Sequence, residues 1–256
     1  MSGTSTVRLD ALAIAAYLSI RNSVFRTRSS RRDPSRPLPN LIDQVYARIL
    51  EAISDRTLRP GQRIRQNELA DRLGVSRQPV SHALHLLHRQ GLVAESGRRG
   101  FEVTQLDPAR IRQLYEVRGA IDALAARLAA ARAGTDAAGR ARLDAALAAG
   151  RRSDRNTTLA DLIALDVDFH RAIYQLAGNP VIEETIAPQW PHMRRSMATV
   201  LSELDYRDSA WAEHADIAAR ILAGDANGAE RAALTHAQTA GRMTEERLRA
   251  TDEAAA

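Results

Sequence analysis

Between Asn67 and Gly91 the chain has the makings of two short helices with a tight turn between them, and this segment restricts the fold more than any other. NELADRLG opens on Asn67 as N-cap, turns Leu69, Ala70 and Leu73 to one side, and stops at Gly74. Val75 leads to Ser76, the N-cap of a second helix, RQPVSHALHLLHRQ. Pro79 falls in its first turn, where a missing N–H is harmless, and Gly91 closes it.

The flanks complete a small unit. LIDQVYARILEAIS spaces Leu41, Val45, Ile49 and Ile53 four apart, which makes one helical stripe. Pro60-Gly61 marks a turn, and Gln62 to Ile64 fit a short strand. Leu92 to Glu95 and Phe101 to Thr104 read as two strands around the turn Ser96 to Gly100. Asp107-Pro108 ends this pattern, and from Ile111 onward the periodicity is helical. Breaks are expected near Gly134, Gly150 to Asn156, Gly178 to Pro180, Pro188 to Pro191, Tyr206 to Ser209 and Gly224 to Gly228. They divide the rest into about six or seven helices, a bundle. The expected fold is therefore mainly α: a winged helix-turn-helix with a small β-wing, then an all-α bundle. Its domains are a leader or disordered arm at 1–40, the winged helix at 41–104, a linker at 105–110, the bundle at 111–247 and a tail at 248–256.

Composition narrows the chemistry. There is no cysteine, which excludes disulfides, zinc ribbons and thiol catalysis, and fits a reducing cytoplasm. There is no lysine either, so P-loop and Schiff-base lysines are excluded and all 36 basic residues are arginine. Residues 1–104 carry 17 Arg against 9 acidic residues, whereas residues 105–256 carry 19 against 22. A basic front and a mildly acidic rear suggest that a polyanion meets the front. The apolar segment Ala11 to Ile20 is too short to span a bilayer, which needs roughly 20 residues. With Asp10 beside it and an Arg-rich stretch behind it, it makes a poor signal peptide.

In a winged helix-turn-helix the second helix of the pair lies in the major groove, and here its start carries Ser76, Arg77 and Gln78. Arginine forks onto guanine and glutamine pairs with adenine. Arg98 and Arg99 stand between glycines at the wing tip. The stretch Leu41 to Thr104, with Pro60-Gly61, ELADRLGVSRQPV, Ala83-Leu84, Gly91-Leu92-Val93 and Arg99-Gly100, resembles the winged-helix domain of GntR-family repressors. The helical remainder resembles the FCD sensing domain of their FadR subgroup. The resemblance implies a homodimer on two-fold operator DNA, with Asn67, Ser76, Arg77, Gln78, Ser81, His82, Arg98 and Arg99 at the duplex. Two positions depart from the family: Ser81 stands where it commonly has Arg, and Asn67 where many relatives have Arg. Arg77 is the family contact that stays intact.

Asp166 and His170 are four apart and share a helical face, so they can chelate one ion, while His214 and His236 lie on two later helices. Three imidazoles and a carboxylate suit zinc, nickel or manganese better than magnesium or calcium. Spacing alone leaves structural or solvent-facing histidines as the alternative. The resemblance adds that metal-binding FCD members carry this arrangement, with zinc the first expectation. Asp168, two residues from Asp166, points across the helix. His192 falls in a Pro-flanked loop, and His82, His85 and His88 are expected to face solvent, phosphate or a neighbouring helix. The resemblance also places Arg118 in the family's pocket, where it would hold the carboxylate of a small organic or sugar acid. The alternative for Arg118 is an intrahelical pair with Asp122. Two rival functions are a helical metalloenzyme and a non-specific architectural DNA binder. The first meets no HExxH or ExxH pattern, and the second has little use for a large acidic-leaning helical half.

Overall fold

The computed structural model describes residues 40–97 and 100–255, so all of the expected arm at 1–40 except Asn40, and the wing-tip pair Arg98 and Arg99, lie outside the described residues. The chain divides into two compact units at Gln105/Leu106.

In the first unit, α1 (Leu41–Ser54) starts where the Asn40 side chain accepts the Asp43 N–H at 2.9 Å. Val45, Ile49 and Ile53 are buried as expected, but Leu41, the first member of the stripe, is 49% exposed because the core does not reach that turn. Strand β1 (Arg63–Arg65) runs straight into α2 (Gln66–Leu73). Asn67 is therefore not the N-cap; Arg65 takes that position, its side chain making no capping bond but pairing with Glu68 in the first turn at 2.9 Å. Gly74 ends α2 with φ at 66°, a left-handed conformation that suits glycine. Ser76 takes the N-cap position of α3 (Arg77–Arg89), although its hydroxyl makes no capping bond.

Strands β2 (Val93–Ser96) and β3 (Gly100–Val103) form the wing, and β1 joins it as a third strand in the antiparallel order β1-β3-β2. Ile64 pairs with Phe101, so both point into a core that also holds Leu69, Leu73, Val80, Leu84, Leu87, Leu92 and Val103. The alternation in Arg63-Ile64-Arg65 follows: one residue in, two arginines out.

The second unit contains seven α-helices among the described residues: α4 (Pro108–Arg132), α5 (Ala137–Arg151), α6 (Leu159–Ala177), α7 (Pro180–Ile186), α8 (Trp190–Val200), α9 (Leu204–Leu222) and α10 (Ala226–Ala255). Helix α4 begins inside the expected linker, at Pro108, where Asp107 caps it by accepting the Ala109 N–H. Helix α10 runs through the expected tail to Ala255. The expected break at Tyr206 to Ser209 is instead the first part of α9; Asp208 and Ser209 are exposed while Tyr206 packs partly against the core, and the true break is at 201–203. His192 is likewise helical, because a 3-10 turn over Ala187–Gln189 passes directly into α8.

Helices α4 and α10 lie side by side along a seam of small residues. A Cβ on Gly119 would come within 3.1 Å of Leu234, and one on Gly241 within 2.7 Å of Tyr115. Against this pair, Phe169, Leu176, Ile186, Met193, Trp211, Ile217 and Ile221 fill the main core. Thr158 caps α6 at Asp161, and Gly178 ends it in the left-handed region. That helix carries Asp166 and His170 into the core.

Candidate metal centre and nucleic-acid interface

All four residues expected to form a metal site are buried within the second unit: Asp166 and His170 from α6, His214 from α9 and His236 from α10. Among the described residues the three histidines form the group able to share an ion, with one ligand nitrogen each inside 4.8 Å of the others. The Nε2 atoms of His214 and His236 stand 3.1 Å apart. Asp166 lies just outside that group, with one oxygen 3.7 Å from His214 Nε2 and the other 3.9 Å from His170 Nε2. A tetrahedral ion with bonds of about 2.1 Å separates its ligand atoms by about 3.4 Å, so the donors stand close to a workable spacing. His170 Nε2 is buried with no hydrogen-bond partner. A buried, unpartnered ring nitrogen aimed among two other imidazoles and a carboxylate fits a cation. Asp168 is exposed, as its position on the helix required.

The packing around the donors is aromatic. Phe169 stacks on His214 with ring centroids 4.3 Å apart, and Trp211 meets the same imidazole edge-on at 4.7 Å. Burial disfavours the charged form and pulls His170 and His214 well below the ordinary histidine value, with Arg118 adding to the effect. Burial also raises the Asp166 carboxyl, partly offset by Arg118 and His236. Neutral imidazoles are the form that binds a metal.

Arg118 is buried beside this group. Its Nε donates to Asp122 Oδ2 at 3.1 Å, the intrahelical pair that the i,i+4 spacing allowed, while Nη2 has no hydrogen-bond partner. Burial alone would lower the guanidinium, but the Asp122 carboxylate, joined by Tyr115, Tyr174 and Asp166, more than reverses this and holds it charged. Asp122 does more than pair: it accepts the Tyr174 hydroxyl and stands 3.5 Å from His170 Nδ1. Sequence reading gave Asp122 a single role and missed Tyr174 altogether, because the contacts that join them cross between helices. Glu213, whose carboxylate meets His236 Nδ1 at 2.7 Å, was also missed; its one signal is its place directly before His214.

In the first unit, Ser76, Arg77 and Gln78 are exposed at the start of α3, and Asn67 and His82 are exposed nearby. Ser81 is half-buried. Arg77 Nε donates to Gln66 Oε1 at 3.1 Å, which orients the guanidinium. A cleft of about 480 Å³ runs beside it, lined by Arg63, Arg65, Asn67, Arg77 and Gly97 among others. The two strand arginines were not among the sequence candidates, although the alternating Arg63-Ile64-Arg65 pattern could have pointed to them. His88 Nδ1 lies 3.0 Å from the Val93 carbonyl, and His85 packs edge-on against Phe101, so these two histidines brace the wing.

A helix-turn-helix braced by a three-stranded wing, followed by a helical unit with a buried polar centre, defines a class of two-part transcriptional regulators. Residues 41–103 match the model of the bacterial regulatory proteins, gntR family, and residues 113–239 match the FCD domain; the chain belongs to the GntR family. An HTH-type transcriptional regulator in an unstable DNA locus of Streptomyces ambofaciens is 30% identical over 197 residues, covering 75% of this chain and 80% of that protein. The HTH-type transcriptional repressor RspR of Escherichia coli K12 is 26% identical over 212 residues, 83% of this chain and 91% of that one. Two solved structures share the fold. E. coli McbR/YncC gives a TM-score of 0.70 at 20% identity, covering 82% of this chain and 99% of its own. A GntR regulator from Rhodococcus sp. RHA1 gives 0.68 at 23% identity, covering 80% and 98%.

Proposed function

We propose that this protein is a cytoplasmic, homodimeric repressor whose grip on operator DNA is set by a small organic or sugar acid bound beside a divalent metal. The convergence of three buried histidines from three helices, with Asp166 at their side, carries this reading. Asp166, His170, His214 and His236 would hold the ion, zinc before nickel or manganese. Bound there, the ion supplies a Lewis-acid anchor for a carboxylate or hydroxyl group. The unpartnered Arg118 Nη2 offers a second anchor for the acid's other end.

In the first unit, Ser76, Arg77 and Gln78 would read base edges, Asn67, Ser81, His82, Arg98 and Arg99 would contribute further contacts to the duplex, and Arg63 and Arg65, which line the cleft beside Arg77, would join them at the phosphates. Effector binding favours one arrangement of the paired reading heads and so changes operator affinity by that difference. We read the buried polar centre as that of a sensor rather than a catalyst: Asp166 is assigned to the ion, Asp122 pairs with Arg118 and Glu213 with His236. Within the described residues no helix is long and apolar enough to cross a membrane.

Metal content and operator binding test the two halves. His214→Ala should lose stoichiometric zinc by elemental analysis, and Arg77→Ala should lose specific operator binding in a gel-shift titration at fixed salt, by about 10- to 100-fold. Full metal content in the first variant, or intact specific binding in the second, overturns the corresponding assignment.

A further inference from the structure

The three imidazoles are not supported alike. His214 Nδ1 is buried with no hydrogen-bond partner, under the stacked Phe169 ring. His170 Nδ1 faces Asp122 at 3.5 Å, beyond good hydrogen-bond range, and that carboxylate is already engaged by Arg118 and Tyr174. His236 alone has a short bond to a carboxylate, its Nδ1 standing 2.7 Å from Glu213 Oε2.

We infer that Glu213 is a positioning residue that locks the His236 ring in the tautomer able to bind metal, an inference that rests on the metal reading above. The chemistry is one-sided. An ionised carboxylate only accepts, so His236 Nδ1 must carry the proton and donate it. A neutral ring then leaves its lone pair on Nε2, the atom that faces His214 Nε2 at 3.1 Å. The bond also fixes the ring plane, so no rotamer has to be selected when a cation arrives. Glu213 and His214 are neighbours on α9, yet they serve different ligands: His214 enters the site itself, while Glu213 reaches across to α10. One turn of α9 thus supplies a ligand and the support of a ligand on another helix. Carboxylates placed behind metal-bound histidines act in this way.

The test is zinc affinity of the full chain, by competition with a chromophoric chelator, for wild type, Glu213→Gln and Glu213→Ala. Glutamine still offers an acceptor oxygen to Nδ1–H, whereas alanine removes it. Glu213→Ala should bind zinc about 10- to 100-fold more weakly, with Glu213→Gln recovering most of the loss. Histidine nitrogen NMR of metal-free protein gives an independent readout: a single Nδ1–H tautomer for His236 in wild type and a mixture in Glu213→Ala. The Glu213 side chain is 34% exposed, so neither change threatens the core. Wild-type affinity in Glu213→Ala, equal weakness of both variants, or mixed tautomers in wild type would each overturn the positioning role. Failure of wild type to bind zinc at all would instead remove the metal centre, and this inference with it.

Discussion

Gly150 is the position where a single methyl group should do the most damage to the sensor unit. A Cβ built there lies 1.8 Å from Trp211 Cη2 and 2.1 and 2.2 Å from two further ring carbons. Carbon contacts are comfortable at about 3.5–4.0 Å, so the indole must retreat by about 2 Å. Inward motion is blocked, because the ring already packs edge-on against Phe169 and His214. The open direction is a cleft of about 710 Å³ that Gly150 and Trp211 both line. Overpacking of this kind costs about 1–3 kcal/mol, and replacing a helical glycine by alanine returns about 1 kcal/mol. The net loss for Gly150→Ala is therefore up to about 2 kcal/mol, which for a chain of this size lowers Tm by up to about 8 °C. Gly134→Ala is the matched control, since nothing lies within 4 Å of its Cβ and its backbone is not left-handed. Thermal melts of the two variants beside wild type, with tryptophan emission recorded, make the comparison. Gly150→Ala should melt lower and emit further to the red as Trp211 enters the cleft, while Gly134→Ala should match wild type. A Gly150→Ala protein with wild-type Tm and emission would refute the packing argument.

Two further predictions concern buried charge. In metal-free protein, His170 and His214 stay neutral in the fold because burial lowers their pKa, while unfolded histidine titrates near about 6.5. Below that pH the unfolded state binds more protons, so stability should fall with pH, by up to about 1.4 kcal/mol per pH unit for each ring. The raised Asp166 carboxyl opposes this wherever it takes up its proton first in the fold. Urea midpoints of metal-free protein at about pH 7.5 and about pH 5.5 check the sign, and equal midpoints would contradict it. Arg118→Met should cost about 3–5 kcal/mol by leaving Asp122 charged and buried, and adding Asp122→Asn should restore a substantial part in a double-mutant cycle.

Much of the fold was legible because its signals are local. Gly74 and Gly178 end helices where the periodic patterns stop, and Val45, Ile49 and Ile53 form a face at helical spacing. Errors arose where one local signal stood in for a neighbour's geometry. Asn67 looks like an N-cap, but β1 delivers the chain into α2 two residues before the expected first turn, at Gln66. Tyr206 to Ser209 read as a break because polarity was taken for a loop. At the buried centre, Asp166 and His170 were visible as a pair on one helix face. His214 and His236 stood out because histidines are few in this half of the chain. Tyr174, Glu213 and the wider role of Asp122 were not legible, since their meaning lies in distances between helices that no sequence period encodes.

The seam between α4 and α10 has a mechanical consequence. Ala123, Ala126, Ala130, Ala237 and Ala240 are buried on these two helices, with Gly119 and Gly241 at their closest approaches. Such residues have no rotamers to surrender on packing and none to exchange afterwards. Where larger side chains enter the seam, Leu234 and Tyr115 rest on the bare backbone of Gly119 and Gly241, which holds the two helices at a close spacing. The two helices therefore act as one stiff beam. A change of shape in the sensor unit then falls to the helices packed on that beam, of which α6 and α9 carry three of the four proposed ligands toward His236 on α10.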